Sequence, residues 1–304
     1  MNAVSVYPFT PWIGARAQLA FNLGGLVRTF GVGQRLRELS VNRNYEAIYQ
    51  VGSRVMKAMP FGRFEVEWSV ESVLSELSVI NLLFDCAGDT CSRSDDPIVF
   101  DVNVWYASGG EANSNWTIPG AVVTSMSVSA SAEGRSAGVS LEVRGIGKTV
   151  SVSNTAPSSI TLPSRVYTFA GATLSVGTQV MRARSVSFTF NNSAERVYVI
   201  GDDKPVSVYL GQWEVTSEVV LPIYGDTISF INTLMQNADI ATVTLSLAGY
   251  GVNDATPSDT VTITASGIKK ITRLRSPLTE IGMNTITLGL RFDDVTINIS
   301  QSAR

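Results

Sequence analysis

FGRFEV at residues 61–66 is followed, 149 positions later, by LGQWEV at residues 210–215. At that offset residues 35–66 align with 184–215 without a gap, and eight of the 32 positions are identical. Random pairing at average residue frequencies gives about two. The identities are Arg35/Arg184, Asn42/Asn191, Glu46/Glu195, Tyr49/Tyr198, Gly52/Gly201, Gly62/Gly211, Glu65/Glu214 and Val66/Val215. Alternating Val, Ser and Thr can match at some offset through composition alone. The glycines resist that reading, because glycine in a strand context marks a turn or bulge with special backbone angles, and here two pairs recur at one spacing. Further on, VSLEVR at 139–144 matches ITLGLR at 286–291 with an offset of 147, a change that an indel in a connecting loop produces.

The pattern within each half is one of strands. VSFTF at 186–190, TVTIT at 260–264, MSVSA at 126–130 and TVSVS at 149–153 alternate β-branched or apolar residues with Ser and Thr. Period-two alternation buries one face of a strand and exposes the other. Helical patterning is expected once per half, at 71–84 (ESVLSELSVINLLF) and at 226–237 (DTISFINTLMQN), where Asp226 or Thr227 can cap the first turn. The expected organisation is an N-terminal arm (1–26), a first domain (27–157), a Pro- and Ser-containing linker (158–165) and a second domain (166–304). The fold class is mainly β, two tandem similar sandwich or barrel-forming domains, each with one α-helix.

Composition removes most catalytic chemistry. The chain has no histidine, which excludes Ser-His-Asp and Cys-His nucleophile arrangements and imidazole acid-base catalysis. Its two cysteines, Cys86 and Cys91, are too few for a structural zinc site and could close a small disulfide loop. RGIGKTV at 144–150 lacks the first glycine of a phosphate loop, since position 142 is Glu, and GVGQ at 31–34 lacks the third glycine of a dinucleotide fingerprint. Asp95-Asp96, Asp202-Asp203 and Asp293-Asp294 lie in turn contexts, where aspartates satisfy local backbone amides. Asn115, Asn191 and Asn298 match the glycosylation pattern, but no export signal is expected from the N-terminal sequence. No catalytic, cofactor-binding or metal-ligating residue is therefore assigned, and no run is apolar enough for a membrane helix.

Charge is distributed in blocks. Residues 1–64 carry eight cations against Glu38 and Glu46, whereas 65–104 carry nine anions against Arg93. Opposed blocks suit contact between copies, with Arg28, Arg37, Arg43, Arg54, Lys57, Asp202, Asp203 and Lys204 as candidate subunit-contact residues. Arg35, Arg184, Gly52, Gly201, Gly62, Gly211, Glu65 and Glu214 are the repeat-equivalent structural positions.

With its duplication, helix placement and closing segment GIKKITRLRSPLTEIGMNTITLGLRFDDVTINI (267–299), the chain resembles the tail tube proteins of long-tailed bacteriophages. The resemblance implies a β-sandwich unit, six of which ring a lumen whose stacked rings conduct viral DNA into the host. A chain supplying two units would close the ring as a trimer with pseudo-sixfold symmetry. The partners so implied are the chain itself, the tape-measure protein and DNA in the lumen, and the tail terminator and tail-tip proteins. The place so implied is the virion tail, assembled in the host cytoplasm. A second reading is a tail-tip, decoration or fibre protein that binds a host-surface glycan through Trp105, Tyr106 and Trp116. A third, a glycan hydrolase, rests on the acidic pairs alone.

Overall fold

A computed structural model describes residues 16–45, 48–49, 56–58, 61–107, 114–132, 138–153, 163, 165–177, 179–223, 227, 242–251, 256–257, 259–267, 270–275 and 285–301. The first half runs through β1 (Arg16–Leu23), β2 (Leu26–Thr29), β3 (Val32–Tyr45), β4 (Ile48–Tyr49), β5 (Met56–Ala58) and β6 (Phe61–Val73), then a 3-10 helix at Leu77–Leu82. It continues with β7 (Phe84–Ala87), β8 (Thr90–Arg93), β9 (Phe100–Ala107), β10 (Ser114–Ser131), β11 (Ser140–Gly147) and β12 (Ser151–Ser153). The second half has β13 (Arg165–Val176), β14 (Gln179–Met181), β15 (Ser185–Asn191), β16 (Glu195–Val197), β17 (Ser207–Tyr209) and β18 (Glu214–Pro222). It ends with β19 (Thr242–Gly251), β20 (Asp259–Ser266), β21 (Lys270–Arg275), β22 (Thr285–Phe292) and β23 (Asp294–Gln301).

Eight of these strands form one continuous path, β3-β6-β11-β10-β15-β18-β22-β21, whose first four come from one half and last four from the other. Alternation makes it two-faced. In β18 Val215, Val219 and Leu221 are buried while Glu214, Thr216 and Glu218 lie on the opposite, open face, and β22 repeats the pattern with Ile286, Leu288, Leu290 and Phe292 inside. The buried face is covered by β2-β1-β9 and the start of β10 in the first half, and by β14-β13-β19-β20-β23-β8-β7 in the second. Side chains of all these sheets merge into a single apolar core, with Trp68 edge-on to Phe100 at 5.8 Å in one half and Phe188 against Phe292 at 6.2 Å in the other.

The sequence repeat is a repeat of strand pairing. Asn42 faces Glu65 and Val41 faces Val66 between β3 and β6, and Asn191 faces Glu214 and Phe190 faces Val215 between β15 and β18. Three of the eight identities thus lie in two cross-strand pairs held in one register. The likeness continues where the letters do not match. In each half the chain turns a corner from covering sheet to continuous sheet at a glycine in the left-handed region, Gly120 (φ 63°) within β10 and Gly267 (φ 72°) between β20 and β21. Only glycine occupies that region without strain. A register shift follows each corner, at Thr124 (between Val123 and Ser125) and at Thr272 (between Ile271 and Arg273).

Three expectations are corrected. Residues 16–26 are not an arm without a counterpart: β1 pairs with β9 as β13 pairs with β19, and Arg16 and Arg165 open the two strands 149 positions apart. At 71–84 the helix shrinks to the short 3-10 turn, because Glu71–Val73 complete β6 against β11 and the apolar residues Leu77, Val79, Ile80 and Leu82 pack inward. Tertiary pairing overrides the helical spacing there. In the linker span 158–165, β13 begins at Arg165. Apart from Thr227, the expected helix at 226–237 lies outside the described residues.

Candidate assembly interface

The two halves meet edge to edge. β10 and β15 pair antiparallel from Ser125↔Asn191 to Ser131↔Ser185, so both faces of the sheet cross the seam unbroken. Met126, Val128 and Ala130 meet Phe190, Phe188 and Val186 on the buried side, and Ser125, Ser127 and Ser129 meet Asn191, Thr189 and Ser187 on the open side. Thr189 Oγ1 donates to Ser127 Oγ at 3.3 Å. Backbone bonds extend the seam at both ends: Asn192 N–H donates to the Thr124 carbonyl at 2.8 Å, and Ala132 N–H to the Arg184 carbonyl at 2.8 Å. Such edge pairing satisfies the backbone groups that an open strand would present to water or to another chain.

A clasp from the second half closes over the first. β16 and β17 form a hairpin with Gly201 (φ 97°) in the turn. The Asp203 carbonyl accepts from Phe64 N–H at 2.7 Å, the Tyr198 hydroxyl donates to the Phe64 carbonyl at 3.0 Å, and the Arg196 guanidinium donates to the Val66 carbonyl. Arg43 pairs with Asp203 at 3.0 Å and lies over the Phe64 ring, while Arg63 lies 4.9 Å from the centre of the Tyr198 ring. Burial pushes the Tyr198 phenol up from its ordinary value; Glu65 adds to this, and Arg196 and Arg63 oppose it. Beneath the clasp lies an open cleft of about 480 Å³ lined by Glu38, Glu65, Glu67, Arg144, Arg196 and Tyr198 among others.

A reciprocal hairpin runs the other way. β7 and β8 carry the cross-strand partners Cys86 and Cys91, joined as a disulfide, and β8 pairs with β23 of the second half through Cys91↔Ile297 and Thr90↔Asn298. Ile299 N–H donates to the Asp89 carbonyl at 2.7 Å. Phe84 packs edge-on against Phe190 at 5.2 Å and Trp213 at 5.7 Å, and Arg93 lies 6.0 Å from the Trp213 ring centre.

The candidate residues divide accordingly. The structure brings Arg43 and Asp203 together at the clasp, where Asp202 Oδ1 accepts from Lys204 N–H at 2.9 Å. Arg37 is ion-paired with Glu71 at 2.5 Å on the open face, Arg35 is exposed on β3, and Arg28 sits on β2 of the covering sheet. Arg184 precedes β15, and Glu214 is held at 3.3 Å by Arg291. Gly62 lies in β6, and Gly211 approaches Ser193 so closely that a Cβ would stand 2.6 Å from its carbonyl oxygen. Lys57 is in β5, whereas Gly52 and Arg54 lie outside the described residues. The acidic pairs make local contacts: Asp95 pairs with Arg93 at 3.5 Å, and Asp294, which opens β23 rather than lying in a turn, accepts at Oδ1 from Val295 N–H. Trp105 is buried and Trp116 packs partly buried against the core, so neither offers an open sugar platform. Among the described residues no group of His, Cys, Asp and Glu could hold a metal ion, and no helix is long and apolar enough to cross a membrane.

The sequence reading missed the corner glycines Gly120 and Gly267 and the register-shift residues Thr124 and Thr272. Their signal was present as a single glycine and a threonine before the β11 and β22 matches, but too sparse to align without the register.

Fold and seam together define a duplicated two-layer β protein whose halves join through edge strands and reciprocal hairpins. Residues 85–298 match the family described as phage tail tube protein, more than two-thirds of the chain, and the protein belongs to that family. It is a structural protein of the bacteriophage virion tail. Among curated proteins no relative matches the sequence.

Proposed function

We propose that each chain supplies two adjacent wall segments, one per half, and that three chains close into a ring with pseudo-sixfold symmetry. One observation carries this. The eight-strand sheet joins its halves by pairing β10 with β15, and among the described residues its outermost strands, β3 and β21, pair on one side only. These outer strands are the repeat counterparts of the two that meet in the middle. A sheet built from such units closes when its ends meet, which removes the open edges. Ring stacking would then be heterologous and open-ended. In this reading the tape-measure protein and DNA occupy the bore, and terminator and tip proteins meet its ends.

The open face suits a bore. Arg37, Arg144 and Arg291 are each ion-paired with a carboxylate of the same sheet, Glu71, Glu142 and Glu214 respectively, and Glu65, Glu67 and Glu218 add acid. In backbone register, Arg273 and Arg275 stand opposite Gly289 and Thr287, and Arg35 opposite Glu71, so the strands of this sheet carry basic as well as acidic positions. A surface of low net charge does not trap a sliding polyanion, since phosphate binding needs clustered free cations. The function is mechanical and electrostatic, with no bond chemistry. Negative-stain imaging with mass-per-length measurement tests it: hollow rods with three chains per ring are expected, and solid fibres or a persistent monomer at high concentration would refute it.

A further inference from the structure

Resting on the ring reading, we propose that β21 of one copy pairs antiparallel with β3 of the next, with Arg273 opposite the next copy's Asn42, Leu274 opposite Val41 and Arg275 opposite Ser40. The register is transferred from the seam within the chain. Three strand pairs fix the equivalence between halves. β3 and β6 map onto β15 and β18 at 149, as Asn42↔Glu65 and Asn191↔Glu214 show. β11 maps onto β22 at 145, because Val66↔Gly147 corresponds to Val215↔Phe292; this corrects by two residues the offset of 147 at which VSLEVR and ITLGLR match by letters. β10 then maps onto β21 at 148, because Ser125↔Arg144 corresponds to Arg273↔Gly289, and this superimposes the two register shifts at Thr124 and Thr272. The shifts were not used to set the offset, so their coincidence is an independent check.

Applying 148 to one side of Ser125↔Asn191 and 149 to the other gives Arg273↔Asn42. The end contact transfers too. Asn192 N–H donates across the internal seam to the Thr124 carbonyl, so Arg43 N–H would donate to the Thr272 carbonyl of its neighbour. By strand alternation Val41 likewise turns its N–H outward, away from β6. Val41, 43% exposed in the single chain, would take the register position opposite residue 274 that Phe190 takes opposite Met126. An exposed valine at a strand edge is what an unfilled seam leaves behind.

Cysteine trapping tests this with the full chain. Ser40→Cys combined with Arg275→Cys is expected to form intermolecular disulfides and a covalent ladder on non-reducing gels. Ser40→Cys with Leu274→Cys, one step out of this register, is expected to give at least about tenfold less, because a one-residue slip exchanges the faces of a strand. Ser127→Cys with Thr189→Cys serves as the intramolecular control and should trap within one chain without multimers. Val41→Pro removes an outward N–H and leaves the β6 side of β3 intact; it should melt like the parent and form about tenfold fewer rods or less. Parental rods of three chains per ring with trapping in another register, or with Val41→Pro assembling normally, would overturn the seam and leave the ring standing. Absence of rods from the parent chain overturns both.

Discussion

One buried cross-strand pair is built in opposite ways in the two halves. Trp68 on β6 faces Gly145 on β11, and at the equivalent place Ser217 on β18 faces Leu290 on β22. All four are buried. A Cβ on Gly145 would stand 2.3 Å from the Trp68 ring, so the glycine exists to admit the indole, whose Nε1 donates to the Ile146 carbonyl at 3.4 Å. In the second half the bulk sits on the other strand. The duplication therefore keeps register and total filling while letting individual side chains change, as a close-packed interior requires.

The strongest test is a double-mutant cycle on that pair. Trp68→Ser alone should cost about 4 kcal/mol through the cavity it opens, and Gly145→Leu alone about 3 kcal/mol through overpacking. Together they recreate the chemistry of the second half, and about 2 kcal/mol should be recovered in denaturant unfolding. Strict additivity would show that the two pairs are not equivalent.

Tyr167 separates the halves by pH, since its counterpart 149 positions earlier is Gln18. Burial pushes its phenol up to about 12, with Arg165 opposing and Glu76 adding. Folded and unfolded chains both keep the proton below pH 10, so stability there is untouched. Above it the unfolded chain ionises first, and stability should fall by about 2 kcal/mol by pH 12. Tyr167→Phe should flatten that part of the profile; an unchanged slope in thermal melts from pH 9 to 12 would contradict the assignment.

The Cys86–Cys91 bridge staples a hairpin of the first half that packs on the second. Reduction should cost about 2 kcal/mol by the loop-entropy relation and loosen exchange protection at β23 as well as β8. Protection lost at β8 alone would mean that the hairpin does not hold the halves together. Smallest of all, Glu214→Gln removes a half-exposed pair with Arg291 and should change stability by less than about 1 kcal/mol, an effect that vanishes in high salt.

The duplication, the β class and the absence of imidazole chemistry were legible in the letters. Alternation is local: Val215 and Glu214 declare their faces whatever strand lies beside them. The glycine pairs marked the clasp, although nothing in GDDK said that Asp203 would reach Arg43. At 71–84 local spacing misled, because Glu71–Val73 found a partner strand about 70 residues away in β11.

By itself, then, the amino-acid order determined a twice-written strand unit with one apolar face. Tertiary structure alone decided that the units join through β10 and β15, that each turns its corner at Gly120 or Gly267, and that β3 and β21 stand at the ends of the sheet. The physical reason is that strand neighbours are chosen by backbone N–H and C=O groups, which every residue but proline carries alike, and by a register set between positions far apart in the chain.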